Sequence, residues 1–142
     1  NFVTRKITRG LARIVAGKQD KLFLGNLDAR RDWGHAKDYV EAMWMMMQQP
    51  FGDDYVIATG KSHSVREFLD ASFGLLGLAW SDHVSIDSKL LRPIDVSEFI
   101  GDSSKALKTF GWKPKISLQD LAREMVVADL LQEGVDLAQF DL

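Results

Sequence analysis

The chain has 142 residues, of which 46% are hydrophobic, with 18 basic and 20 acidic side chains and a formal charge of −2. That is enough apolar material for one domain or two small cores, and there is no overall field to draw in nucleic acid or anionic lipid, so any anion site must be local. Cysteine is absent, which excludes disulfides and thiolate chemistry.

No apolar run approaches the roughly 18 to 20 residues of a spanning helix, and no signal-peptide pattern is present, so a cytoplasmic protein without membrane contact is expected. The opening Asn1-Phe2-Val3, with no initiator Met, leads us to expect a piece of a longer polypeptide.

From Thr4 to Gly17 the apolar residues Ile7, Leu11, Ile14 and Val15 recur at helical spacing, with Thr4 as the cap and Gly17 as the stop. The opposite face carries Arg5, Lys6, Arg9 and Arg13. Arg5 and Lys6 fall in the first turn, where free backbone N–H groups attract anions. Lys21 to Asn26 reads as a short strand running into a turn. Arg30 and Arg31 then stand in a turn with Asp32, Trp33 and Gly34. A guanidinium offers a phosphate two parallel hydrogen bonds, although a solvated turn paired with Asp28 and Asp32 would look the same in sequence.

A helix is predicted from Ala36 to Gln49, stopped by Pro50, with Ala36, Val40, Met43, Trp44 and Met47 as its core-facing side. Asp54 to Gly60 reads as a buried strand. Ser64 and Glu67 form a capping box opening a helix to about Gly77, with Val65, Phe68, Leu69, Leu75 and Leu76 inward. Strand, turn and helix in this order suggest a parallel α/β unit. His83 to Asp87 alternates as a strand would, and Arg92-Pro93 breaks any regular element. Asp102 or Ser103 caps a helix through Phe110 that Gly111 ends, and Trp112-Lys113-Pro114 turns a corner. Ser117 with Asp120 opens the last helix, with Leu118, Leu121, Met125 and Ala128 facing inward. Residues 134–142 carry no clear pattern.

The catalytic inventory is thin. His35, His63 and His83 lack metal-ligand spacing and read as surface or capping residues, and neither a glycine-rich dinucleotide loop nor a nucleophile elbow is present. What recurs is cationic and amide side chains at element ends: Asn1, Lys6, Asn26, Arg30, Arg31 and Arg92. Converging, they would hold a diphosphate, with Asp95 or Glu98 for hydroxyls or a base edge.

The strings Asn1-Phe2-Val3-Thr4-Arg5-Lys6-Ile7, Leu24-Gly25-Asn26-Leu27-Asp28-Ala29-Arg30-Arg31-Asp32-Trp33-Gly34-His35-Ala36-Lys37-Asp38-Tyr39-Val40-Glu41-Ala42, Arg92-Pro93, Gly101-Asp102-Ser103-Ser104-Lys105-Ala106 and Gly111-Trp112-Lys113-Pro114 closely resemble the C-terminal part of the GDP-mannose 4,6-dehydratase family. That family lies within the extended short-chain dehydrogenase/reductase superfamily, and the likeness runs from Asn1 to about Leu130. Gly-Trp-Lys-Pro and Arg-Asp-Trp are shared loosely across nucleotide-sugar epimerases and dehydratases, whereas the long central string is far more specific.

The resemblance implies an α/β fold in which residues 1–142 form the C-terminal substrate lobe. Residues 36–60 would pack on a cofactor domain, adding a helix and strand to the edge of its Rossmann sheet. The glycine-rich half that binds NADP, and the catalytic residues, would lie outside this chain. The implied reaction is dehydration of GDP-mannose to GDP-4-keto-6-deoxymannose by a homodimer or homotetramer. Carried over by position, Asn1 would meet the diphosphate, and Val3 and Lys6 would border the guanosine; Asn26 joins the candidate substrate-binding residues from its place at a strand end. Arg31 would grip a phosphate or ribose oxygen, and Arg92 with Asp95 would hold the far end of the nucleotide. The family usually has Glu at the place of Asp95 and Tyr-Phe at that of Leu90-Leu91, with a longer loop before them. A related epimerase or dehydratase acting on another nucleotide sugar, and a non-catalytic nucleotide-binding or assembly module, are the alternatives.

Overall fold

A computed structural model describes residues 2–91, 96 and 98–142. Asn1, Arg92 and Asp95 lie outside the described residues.

Helix α1 (Val3–Val15) starts after Phe2, whose extended backbone makes it the N-cap without a side-chain bond. Thr4 therefore sits inside the first turn and does not cap, because the capping position must precede the first helical residue. At the other end Gly17 takes φ 67°, and Lys18 N–H returns to Arg13 O at 2.9 Å, the left-handed stop that glycine allows. Helices α3 (Val65–Gly74) and α5 (Leu118–Glu133) pack on α1. Ile7, Leu11, Phe68, Leu69, Phe73, Val126 and Leu130 are wholly buried among them. Each such side chain contributes roughly 1.5 to 3 kcal/mol by leaving water.

The capping boxes at Ser64/Glu67 and Ser117/Asp120 both form. The buried stripe of α5 differs from the expected one: Ala122, Val126 and Asp129 face inward with Leu118 and Leu130, while Ala128 is exposed. A polar contact decides this rotation. Asp129 is buried against α1, where it ion-pairs with Arg5 and accepts from Thr8 Oγ1 at 2.7 Å. Beyond α5, Leu137–Gln139 form a 3-10 turn, and Val135, Leu137 and Leu142 pack on the main core, an apolar contact too short in sequence to show a period.

Strand β1 (Leu22–Leu24) pairs in parallel with β4 (Val84–Ile86), Leu22 opposite Val84. Arg30–Arg31 form a short strand, β2, antiparallel to β3 (His63–Ser64), rather than the expected turn. Its backbone also serves the chain near Phe99, whose N–H bonds Arg30 O at 3.2 Å.

Helix α2 (Ala36–Met47) is capped by His35, whose Nδ1 accepts from Lys37 N–H at 3.0 Å. It does not bury the face expected from its methionines. Asp38 and Ala42 turn inward, whereas Val40, Met43, Trp44 and Met47 are 56 to 81% exposed. Hydrogen bonds again set the rotation. Trp112 Nε1 donates to Asp38 O at 2.9 Å, and Asp38 Oδ2 accepts from the backbone N–H groups of Lys115 and Ile116 at 2.9 and 3.0 Å. This locks the Trp112-Lys113-Pro114 corner onto α2 and makes a second small core of Ala42, Ala106 and Trp112, joined by Tyr39, Tyr55 and Phe110. Helix α4 (Ser104–Phe110) leads into that corner through Gly111 at φ 76°. The segment 54–60, expected as a buried strand, has no ladder partner among the described residues, and Val56 on it is exposed.

Candidate functional site

The start of α1, the turn after β1 and the end of β2 enclose a cavity of about 660 Å³ lined by Phe2, Val3, Gly25, Asn26, Arg31, Asp32, Trp33 and Leu90 among others. Its size falls within the range of about 300 to 1,000 Å³ typical of small-molecule sites. Gly25 is required where it stands, since a Cβ there would lie 2.5 Å from Leu90 O. The approach of the Leu90 backbone therefore depends on a missing side chain. Asn26 Oδ1 accepts from Asp28 N–H at 2.9 Å, folding the turn on itself as an Asx turn does.

The two arginines of β2 divide. Arg30 Nη2 donates to Ser62 O at 2.6 Å, and its other nitrogens lie 3.4 Å from Glu67 and from Glu98, so it ties β3, α3 and the Glu98 segment together. Glu98 is thereby engaged with Arg30. Arg31 lines the cavity. Its Nη1 donates to Arg30 O at 2.6 Å and to Val96 O at 2.8 Å, and its guanidinium carbon stands 5.3 Å from the Phe99 ring centroid, within cation–π reach.

Asp32, at the cavity wall, gathers donors from two distant segments. It accepts from Thr59 N–H at 2.9 Å, Thr59 Oγ1 at 2.5 Å, Gly60 N–H at 2.9 Å and Gly101 N–H at 3.2 Å. Trp33 is held by a tilted packing against Phe68 at 5.4 Å between ring centroids. The sequence crowds Asp32 and Trp33 beside the arginines but assigns neither a role at the site. Adjacency to Arg31 is the one local signal, since the partners of Asp32 lie 27 and 69 residues away.

Of the seven residues expected to bind substrate, Val3, Asn26 and Arg31 meet in this cavity. Lys6 points into a separate groove of about 260 Å³ with Arg5, Arg9 and Arg13. Among the described residues no His, Asp or Glu group has the makings of a metal site, and none of the helices is long and apolar enough to cross a membrane. His63 faces Glu67 at 3.9 Å. Strand β1 passes through Gly25 to β2 without a helix N-terminus behind the turn, so the cradle that holds a dinucleotide pyrophosphate is not formed by these residues.

A family model for GDP-mannose 4,6 dehydratase matches residues 1–125. The chain belongs to the GDP-mannose 4,6-dehydratase family. GDP-mannose 4,6 dehydratase 1 of Arabidopsis thaliana is 60% identical over 130 residues, which cover 92% of this chain and 36% of that protein. The Homo sapiens enzyme is 48% identical over 147 residues, covering 92% and 40%. The chain thus spans well under half the length of these relatives. In structure it resembles RMD of Pseudomonas aeruginosa, solved with NADPH, at TM-score 0.83 and 20% identity, covering 92% of this chain and 43% of that one. The dTDP-glucose 4,6-dehydratase of Bacillus anthracis, solved with NAD, gives TM-score 0.73 at 21% identity, with 91% and 40% covered. These structural neighbours share the α/β fold of the chain.

Proposed function

We propose that this chain is the nucleotide-sugar-binding part of a GDP-mannose 4,6-dehydratase, an NADP-dependent lyase that converts GDP-mannose to GDP-4-keto-6-deoxymannose. The observation that carries the reading is the cavity in which Arg31, Asn26 and Val3 meet, in a chain 60% identical to a plant enzyme of that name. NADP would supply a transient oxidation of the hexose. Among the described residues no glycine-rich turn leads into a helix N-terminus that would hold that cofactor's pyrophosphate, and the part proposed for this chain is to bind and orient the substrate.

A diphosphate carries about two negative charges, and one charge-assisted bond from Arg31 contributes roughly 1.5 to 3 kcal/mol. The apolar walls of Phe2, Val3 and Leu90 suit a base or ribose face. Asn1, Arg92 and Asp95 complete the proposed binding set, whereas Lys6 borders a separate groove with Arg5, Arg9 and Arg13.

The exposed Val40, Met43, Trp44 and Met47 face of α2, with a segment 54–60 that has no strand partner among the described residues, supports packing of residues 36–60 on a cofactor-binding domain. An apolar helix stripe beside an extended segment is what the edge of a doubly wound sheet requires.

The test is product analysis. The full-length protein, given GDP-mannose and NADP, should release a nucleotide sugar lighter by one water. Turnover of a different nucleotide sugar with GDP-mannose untouched would favour the epimerase or alternative dehydratase reading instead.

A further inference from the structure

Asp32 has a place in the site that its neighbour's charge alone does not explain. Its carboxylate holds Gly101 N–H on one oxygen, Oδ2, together with Gly60 N–H, and Thr59 by N–H and hydroxyl on the other, Oδ1. Gly101 closes the segment that carries Val96 and Phe99. Both are among the partners of Arg31, beside Arg30 O at 2.6 Å: the Val96 carbonyl at 2.8 Å receives its Nη1, and the Phe99 ring centroid lies 5.3 Å from its guanidinium carbon. Gly101 itself sits against Ala58 so closely that a Cβ would collide with the Ala58 side chain, which fixes where the segment turns.

We infer that Asp32 is a positioning residue for nucleotide binding: by anchoring Gly101 and the Thr59–Gly60 turn it helps fix Val96 O and the Phe99 ring, the two contacts that aim the Arg31 guanidinium into the cavity. This rests on the proposed reading of the cavity as the nucleotide site. The chemistry is that of a long, rotamer-rich cation. Left to itself, an arginine side chain samples many orientations. A carbonyl and an aromatic face held at one end restrict it before the anion arrives, so less order is lost on binding. A carboxylate accepting from several N–H groups makes such an anchor stiff, because charge-assisted bonds are stronger than neutral ones.

The test uses the full-length protein and GDP as the probe, with calorimetric affinity for GDP and for NADP, kcat and KM for the nucleotide sugar, and the melting temperature. Asp32→Asn keeps the shape but gives up part of the acceptor capacity. It is expected to weaken GDP binding and raise KM by about tenfold, the effect of removing a single charge-assisted hydrogen bond, with kcat and NADP affinity within about twofold. Phe99→Leu removes the aromatic face at an exposed position where folding is not at stake, and should do the same. Because both act through Arg31, each should lose its effect in an Arg31→Ala background, whereas independent sites would add.

Unchanged GDP affinity in Phe99→Leu, or full additivity with Arg31→Ala, overturns the inference. So does an Asp32→Asn protein that loses GDP and NADP binding in parallel with its melting temperature, since that marks a merely structural role. If Arg31→Ala itself leaves GDP affinity unchanged, it is the reading of the cavity that fails; if Arg31→Ala weakens GDP while Phe99→Leu does not, only the positioning role of Asp32 is lost.

Discussion

Arg30 and Arg31 are adjacent in sequence and chemically identical, yet alternation along a two-residue strand sends them to different tasks. Arg30 is spent on Ser62 O, Glu67 and Glu98, while Arg31 borders the cavity. In the full-length protein, on the proposed reading, Arg31→Ala should weaken GDP binding by about one to two orders of magnitude and raise KM far more than it lowers kcat. Arg30→Ala should instead lower the unfolding midpoint and leave GDP affinity nearly intact. Equal effects of the two substitutions on calorimetric GDP affinity would remove the distinction. Glu67 belongs to the same scale. The Ser64 N–H bonded to it, aided by the Arg30 charge and opposed by partial burial, holds its carboxyl below the usual range. Folding therefore lowers this pKa, so the stabilising contribution is complete above the unfolded value of about 4.3 and fades as pH falls through the folded value. Denaturation midpoints of wild type and Glu67→Gln should accordingly converge in acid below that range and stay apart at neutral pH.

At the level of elements, two helices are rotated by polar contacts rather than by their apolar pattern. In α5, Asp129 takes an inward position to meet Arg5 and Thr8. Asp129→Ala would leave the buried Thr8 hydroxyl without its acidic partner, at a cost of about 1 to 3 kcal/mol in denaturant unfolding. The capping box of the same helix is separable: Ser117→Ala should cost about 0.5 to 2 kcal/mol and leave ligand affinity unmoved. In α2 the amphipathic arithmetic picks Val40, Met43, Trp44 and Met47 as core, and the bonds at Asp38 turn that side outward. Periodicity names an apolar stripe; it does not say which neighbour covers it.

For the molecule as a whole, that outward stripe has a measurable consequence. Exposed apolar residues on α2 continue through Phe51 to Val56, and contiguous patches of this kind mark interaction surfaces or aggregation. The 142-residue chain on its own should bind a hydrophobic dye strongly and self-associate. Substituting Met43, Trp44 and Met47 by Gln should suppress both in the isolated chain yet destabilise the full-length protein. A monomeric, dye-silent fragment would count against packing of residues 36–60 on another domain.

The sequence by itself determined what depends on neighbours a few residues apart. The capping boxes at Ser64 and Ser117, the glycine stops at 17 and 111 and the helical spacing of Ile7 and Leu11 are local, so composition and short spacing suffice. The family, too, was legible in contiguous strings such as Arg31-Asp32-Trp33-Gly34-His35. Only the tertiary structure decided which arginine faces the cavity, that Lys6 turns to another groove, that Asp32 binds chain 27 and 69 residues away, and which stripe of α2 and α5 is buried. Those outcomes are settled by hydrogen bonds and packing between segments far apart in the chain, whose energies decide orientation but leave no period in the string of residues.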